Sequence, residues 1–298
     1  MARSGQIRIG ISGWRYKPWR GDFYPEKLPQ KSELSFAASK LNSLEINGTF
    51  YSMQRPSSFA SWSADTPDDF VFSVKGPRFI THIRRLREVE TPLANFLASG
   101  ALLLGAKLGP FLWQFPPSFR YQKELFENFF KILPMDSASA LKLAEQHDER
   151  IKTEAGLEIS AKFNLRHAIE IRHQSFVNAE FVELLRRYKI GLVCADTVEW
   201  PRLMDLTSDF VYCRLHGSEV LYASGYDAKA LDDWARRVTD WAQGREPQDA
   251  DRVIGGAGPK RSARDVFVYF DNDVKVRAPF DAQALAARVQ KILPDCGA

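Results

Sequence analysis

Eight short runs rich in Val, Ile, Phe and Tyr recur along the chain, separated by stretches with helical periodicity. The runs at 7–12 (IRIGIS), 44–50 (LEINGTF), 70–75 (FVFSVK), 111–115 (FLWQF), 167–172 (HAIEIR), 190–195 (IGLVCA), 209–215 (DFVYCRL) and 265–271 (DVFVYFD) read as strands. Helices are predicted at 32–41, 123–133, 180–188, 228–241 and 281–293, the second ended by Pro134. Strands that alternate with helices pair in parallel, because a parallel neighbour needs a long crossover. Eight is the number that closes a (β/α) barrel. A doubly wound open sheet is the alternative, but GISGW after the first strand lacks the glycine spacing of a phosphate-binding turn. The expected architecture is α/β: a single (β/α)8 TIM barrel over 1–298 with two peripheral insertions. These are a polar, helix-prone stretch at about 134–165 and a Gly- and Arg-rich mobile loop at about 243–264.

Composition fits that picture and narrows the partners. A chain of 298 residues, 45% hydrophobic and 26% charged, carries enough apolar mass for a large core. The net charge of +4 is small, although residues 1–100 hold fourteen Lys/Arg against nine Asp/Glu. A generic nucleic-acid coat carries a larger excess. No run approaches the ~18 apolar residues of a membrane span. The three cysteines, Cys194, Cys213 and Cys296, show no C-x-x-C spacing, and their odd number argues against a secreted disulfide framework. A cytoplasmic location without membrane attachment is expected; oligomeric state is open.

Polar residues fall on one parity of the predicted strands. Leu44 and Ile46 oppose Glu45, Asn47 and Thr49; Ile169 and Ile171 oppose Glu170 and Arg172. Val211, Cys213 and Leu215 oppose Tyr212, Arg214 and His216, and Phe72 and Val74 oppose Ser73 and Lys75. The apolar parity suits the helix layer, so the polar parity points into the lumen. Glu45, Lys75, Glu170, Arg172, Arg214, His216 and Asp271 then converge near the C-terminal strand ends, where barrel enzymes keep their chemistry, with Gln114 and Asp196 joining them. An ion-pair network satisfying all these charges is the competing structural reading.

The block series GISGWRYKPWRGDFYP, SLEINGTFYSMQRP, FVFSVKGPRFITHIRRL, LGPFLWQFPPSF, AIEIRHQSF, DFVYCRLHG and VYFDND resembles, in order and spacing, the YecE-like family (domain of unknown function 72). The likeness covers the chain outside the two insertions and implies a TIM barrel; it implies no reaction. Phe176 stands where the family usually has Trp, and Gly48 where it often has Ser.

Arg172 and Arg214 offer planar forks for a carboxylate or phosphate, and Lys75 adds a point charge. The expected catalytic set is Glu45 or Glu170 as base with His216 as partner, together with Lys75 and Asp271. A Lys75 salt bridge to Glu45 is favoured over a nucleophilic amine. Substrate-binding candidates are Arg172, Arg214, Trp14, Asn47, Tyr51, Gln114 and His173. No cofactor is expected; a divalent metal on Glu45, Glu170, Asp196, Asp271 and the nearby histidines is the alternative, opposed by the cations at the same mouth. The reading is an enzyme of hydrolase or lyase type acting on a small anionic ligand. The alternative is a non-catalytic barrel binding a nucleotide or single-stranded nucleic acid through the aromatics and Arg84 and Arg85.

Overall fold

The computed structural model describes residues 4–151, 154–159, 161–217, 221–222, 224–255 and 258–294. The strands β1 (Ile7–Ser12), β2 (Ser43–Ile46), β3 (Val71–Lys75), β4 (Leu108–Gln114), β5 (His167–Glu170), β6 (Gly191–Asp196), β7 (Phe210–Leu215) and β8 (Asp265–Phe270) pair in parallel in chain order. β8 closes on β1, so the sheet is the eight-stranded barrel of a TIM fold. At Gly10 the strands approach so closely that an added Cβ would lie 1.9 Å from the Ser43 carbonyl oxygen.

Period-two alternation divides the apolar residues into two clusters. Ile9, Ile11, Leu44, Val74, Trp113, Ile169, Cys213 and Val268 face the helices. Leu112, Ala168, Val193, Ala195, Tyr212, Phe267 and Tyr269 fill the lumen. The lumen is polar above this plug: the Tyr269 hydroxyl lies 2.7 Å from Ser43 Oγ and 2.8 Å from Ser73 Oγ.

Around the barrel run α1 (Glu33–Ala38), α2 (Gly48–Tyr51), α3 (Pro56–Ala64), α4 (Glu90–Ala98), α5 (Lys123–Ile132), α6 (Ser137–Ala144), α7 (Ala179–Tyr188), α8 (Ala228–Ala242) and α9 (Arg277–Ile292). Helices α5, α7 and α8 follow the predicted periodicity; α5 buries Phe126, Phe129 and Phe130 on one stripe. No such stripe is visible for α4, because Leu93 to Ala98 are buried all round. This helix is wedged between the barrel wall and α6, and the Nδ2 of its buried Asn95 donates to Asp148 Oδ1 at 2.9 Å. Among the described residues no helix is long and apolar enough to cross a membrane.

The 134–165 stretch thus contributes a packed helix, capped where the Ser139 amide donates to Asp136 Oδ1. The 243–264 stretch, expected as a mobile loop, is tied down: the amides of Val253 and Ile254 donate to the two oxygens of buried Asp205, and Arg202 pairs with Asp251. Asp205→Ala leaves both amides without partners. Tryptic cleavage between residues 245 and 261 is expected to quicken several-fold in native protein; an unchanged digestion rate would show that the other contacts suffice.

Candidate active site

Two local devices bring β2 and β3 to their common end. The predicted second strand extended to residue 50, but Asn47 adopts helical angles and Gly48–Tyr51 forms a helical turn. Thr49 therefore leaves the lumen parity, and its hydroxyl, buried between two carbonyls, lies 3.0 Å from Ile46 O and 2.6 Å from Lys75 O. After Lys75 the chain passes against Trp113. A Cβ at Gly76 would fall 2.4 Å from that ring, so glycine is required there.

At the centre stands Arg214, its side chain fully buried. Its Nε donates to Glu45 Oε2 at 3.1 Å and its Nη1 to Glu170 Oε2 at 2.7 Å. Its Nη2 reaches Ser12 Oγ at 3.1 Å, Glu45 Oε1 at 2.9 Å and Asp271 Oδ2 at 2.9 Å. The remaining capacity of Glu45 goes to the hydroxyls of Ser12 and Tyr212, and that of Glu170 to Arg172, at 2.7 Å from Nε and 2.6 Å from Nη2. Burial pushes Glu170 up, but Arg172 and Arg214 outweigh it and hold this carboxyl well below the usual carboxylate range. Asp271 is likewise held low, burial being overcome by Arg214 and His216.

Lys75 is different. The expected bridge to Glu45 does not form, because both oxygens of Glu45 are taken by Arg214, Ser12 and Tyr212. Among the described residues no carboxylate comes within 4.0 Å of Lys75 Nζ, and the ammonium instead sits 4.4 Å from the centroid of the Phe50 ring. Burial, with Arg214 nearby, lowers its pKa to about 8, against the pull of Glu45, Glu170 and Asp271. Phe50 also meets the His82 ring edge-on at 5.1 Å. Burial, and then Lys75, Arg78, Arg172 and Arg85, lower His82 to about 4, so its imidazole is neutral at pH 7. Arg172 lies 4.1 Å over the Trp200 ring.

On the β8 side, His216 Nδ1 lies 3.0 Å from Asp271 Oδ2. The His216 ring is buried against Trp200 and Tyr222, and neither His216 Nε2 nor the Trp200 Nε1 donor finds a hydrogen-bond partner among the described residues. Two residues further on, burial and the charge of Asp271 raise Asp273 to about 8, and its Oδ1 is buried without a hydrogen-bond partner among the described residues. It carries a proton at pH 7. Tyr16 is its neighbour, with the phenol raised above its ordinary value by burial and by Asp273.

Backbone strain gathers at the same end. Residues 79–83 form a π-helical turn, and Arg85, Leu86, Glu88, Tyr222, Lys275 and Val276 all have φ between 50° and 66°. Such conformations persist where surrounding contacts hold them, as they do in functional loops.

Of the residues singled out in the sequence, Glu45, Lys75, Glu170, Arg172, Arg214, His216 and Asp271 come together. Trp14 does not join them: it is buried in the helix-side layer, edge-on to Trp62 at 5.5 Å, with no face free for stacking. Tyr51 is 72% exposed. Asn47 follows β2 with a buried Oδ1 that has no hydrogen-bond partner among the described residues, and Gln114 turns its amide onto Phe115 O at 3.3 Å. His173 Nδ1 caps the turn at Gln174–Phe176 by accepting from the Ser175 amide. Asp196 pairs with Arg202. Sequence reasoning missed Asp273 and Trp200, which lie on loops where no periodicity points. Tyr212 shares the parity of Arg214 and was legible on that ground. Among the described residues no three His, Cys, Asp or Glu side chains are disposed to hold a metal ion.

Known proteins extend the picture. A family model described as "Protein of unknown function DUF72" matches residues 8–295. The protein YunF of Bacillus subtilis is 31% identical over 126 residues, 40% of this chain and 43% of that protein. YecE of Escherichia coli K12 is 30% identical over 113 residues, 38% of this chain and 39% of that protein. The matched stretch thus spans about two-fifths of the length of these curated relatives. Among solved structures, a DUF72 family protein of Thermotoga maritima MSB8 is similar with a TM-score of 0.68 at 23% identity, covering 97% of this chain and 100% of that one. One from Enterococcus faecalis V583 gives 0.65 at 20% identity, covering 97% and 95%. These likenesses show the fold.

Proposed function

The chain belongs to the DUF72 family, and from that premise we propose that it is an enzyme doing acid–base or hydrolytic chemistry on a small phosphorylated or carboxylated substrate at the C-terminal strand ends. One observation carries this reading. Lys75 is a nearly buried ammonium whose neighbouring carboxylates are already engaged by arginines, so its counter-charge is left for a ligand to supply.

In this scheme Lys75 and Arg172 take the anionic group, and Trp200 beneath Arg172 fixes the plane of the guanidinium. Glu45 and Glu170, expected as bases from the sequence, become positioning groups, since their oxygens are spent on Arg214 and Arg172. The acid–base work passes to the other side of the mouth. Asp273, protonated at pH 7, supplies a proton to the leaving oxygen. The Asp271–His216 pair accepts the proton of an attacking water. His82, neutral at pH 7, lines the cationic side without adding charge.

The test is a turnover screen of small phosphomonoesters and carboxylates, followed by a pH profile on the best substrate. With Lys75 and Asp273 both titrating near 8, kcat/KM falls as pH rises through that value: the lysine loses its charge and the aspartate its proton. Lys75→Arg stays charged and removes the lysine contribution to that limb; Asp273→Asn removes the acid's. Turnover that is unaffected by both variants sinks the proposal.

A further inference from the structure

We infer that the N-terminal end of the barrel, opposite the proposed active site, holds a second site for a small, multiply charged anion of the oligophosphate class. A cavity of about 770 Å³ opens there, lined by Arg8, Arg166, Arg186, Lys189 and Arg261. Both insertions help to wall it, the first through Asn164 and Leu165 and the second through Pro259 and Arg261. The bottom face of a barrel usually serves stability alone. Here two segments additional to the barrel enclose a space large enough for a nucleotide-sized ligand.

The charges are unbalanced. The carboxylates on the lining are Asp209 and Asp265, and Arg166 engages both, at 3.6 and 2.7 Å. Among the described residues Arg8 and Arg186 donate only to backbone carbonyls, those of Asp69 and Leu206. Among the described residues Lys189 and Arg261 have no carboxylate within 4.0 Å.

A second, independent observation comes from Arg264. It lines an adjoining cavity of about 240 Å³ that shares Arg166, Arg261, Asp209 and Asp265 with the first. It is 2% exposed, and among the described residues it donates to the carbonyls of Gly244 and Pro259 but to no carboxylate. Its Nε is buried without a hydrogen-bond partner among the described residues. An arginine cannot shed its proton to relieve such burial, and the neighbouring carboxylate Glu246 is itself engaged by Arg252 and the Gly258 amide, so the buried guanidinium is costly unless a further anion comes to it. Compact, polyvalent oxyanions match several convergent forks and one ammonium.

The experiment is calorimetric titration of the full chain with inorganic tripolyphosphate at low and at high salt. Arg261 and Lys189 are exposed, so Arg261→Glu and Lys189→Glu preserve the fold, which circular dichroism verifies. One equivalent should bind the wild-type chain and persist in weakened form at high salt, with affinity down at least ~10-fold in each charge-reversal variant. Lys75→Met, at the opposite end, should keep the equivalent that the charge-reversal variants lose; this separates the second site from the proposed activity. Absent binding, affinity unchanged in both charge-reversal variants, several equivalents that vanish in salt, or loss confined to Lys75→Met would each overturn the assignment.

Discussion

Arg214→Met is expected to leave the protein largely unfolded at neutral pH. The arginine makes five hydrogen bonds in the lumen, and its removal leaves Glu45, Glu170 and Asp271 with far too little compensating charge. Breaking a buried ion pair by deleting one partner costs about 3–5 kcal/mol, and here three carboxylates lose a shared partner at once, Glu45 keeping only hydroxyl donors. Against a total stability of about 5–15 kcal/mol this is most of what holds the fold. Glu170 and Asp271 lie below their ordinary values in the native protein, so the stability they contribute is present above the unfolded carboxylate range and is lost as pH falls through their native values. The deficit of the variant is therefore widest near pH 7 and narrows below pH ~4, as the unfolded chain takes up protons while Glu170 and Asp271 of the native wild type stay ionised. Urea denaturation at the two pH values reads it directly. Arg214→Lys should rescue little, since one ammonium cannot span the same four partners. A variant as stable as the wild type would mean that the network contributes nothing to the fold.

Lys75→Met is expected to do the opposite: to stabilise the chain and abolish the response to substrate. A lysine at about 8 in the folded protein and at its ordinary 10.5 when unfolded costs stability. That cost is present in full below pH 8, shrinks as pH rises, and is gone above 10.5. Set against a lost cation–π contact with Phe50, removal should return about 1–3 kcal/mol at pH 7 and nothing at pH 10.5. Thermal melts at both pH values, run beside the turnover assay, make the comparison. Lower stability of the variant at pH 7 would identify Lys75 as a structural member of the charge network instead.

These two substitutions mark where sequence reading succeeds and where it stops. Alternation along β2, β3, β5 and β7 is a backbone property, so Glu45, Lys75, Glu170 and Arg214 could be placed in one lumen without coordinates. Alternation does not say which of them are satisfied. Glu45 and Lys75 read alike on paper; one spends both oxygens on neighbours, and the other faces a ring. That difference lies in distances of about an ångström. Loops follow no period, which is why Asp273 and Trp200 escaped notice. Trp14 was misplaced because an aromatic after a strand can turn to either layer. Helix α4 was invisible for the reverse reason: a segment buried on every side has no stripe to detect.

The closure of β8 on β1 has a consequence for the life of the protein before and after it is folded. An open sheet ends in two rows of unpaired amides and carbonyls, which another chain can extend into an aggregate. Among the described residues the finished ring offers no such row. The hazard is confined to the interval in which the ring is incomplete, and the β1–β8 pair that closes it joins residues more than 250 positions apart in the chain. Contacts of that separation form slowly. The species most prone to self-association is thus the nearly complete barrel with a β1 or β8 edge still exposed, and slow synthesis, dilution or a chaperone that shields that edge is what would carry the chain past it.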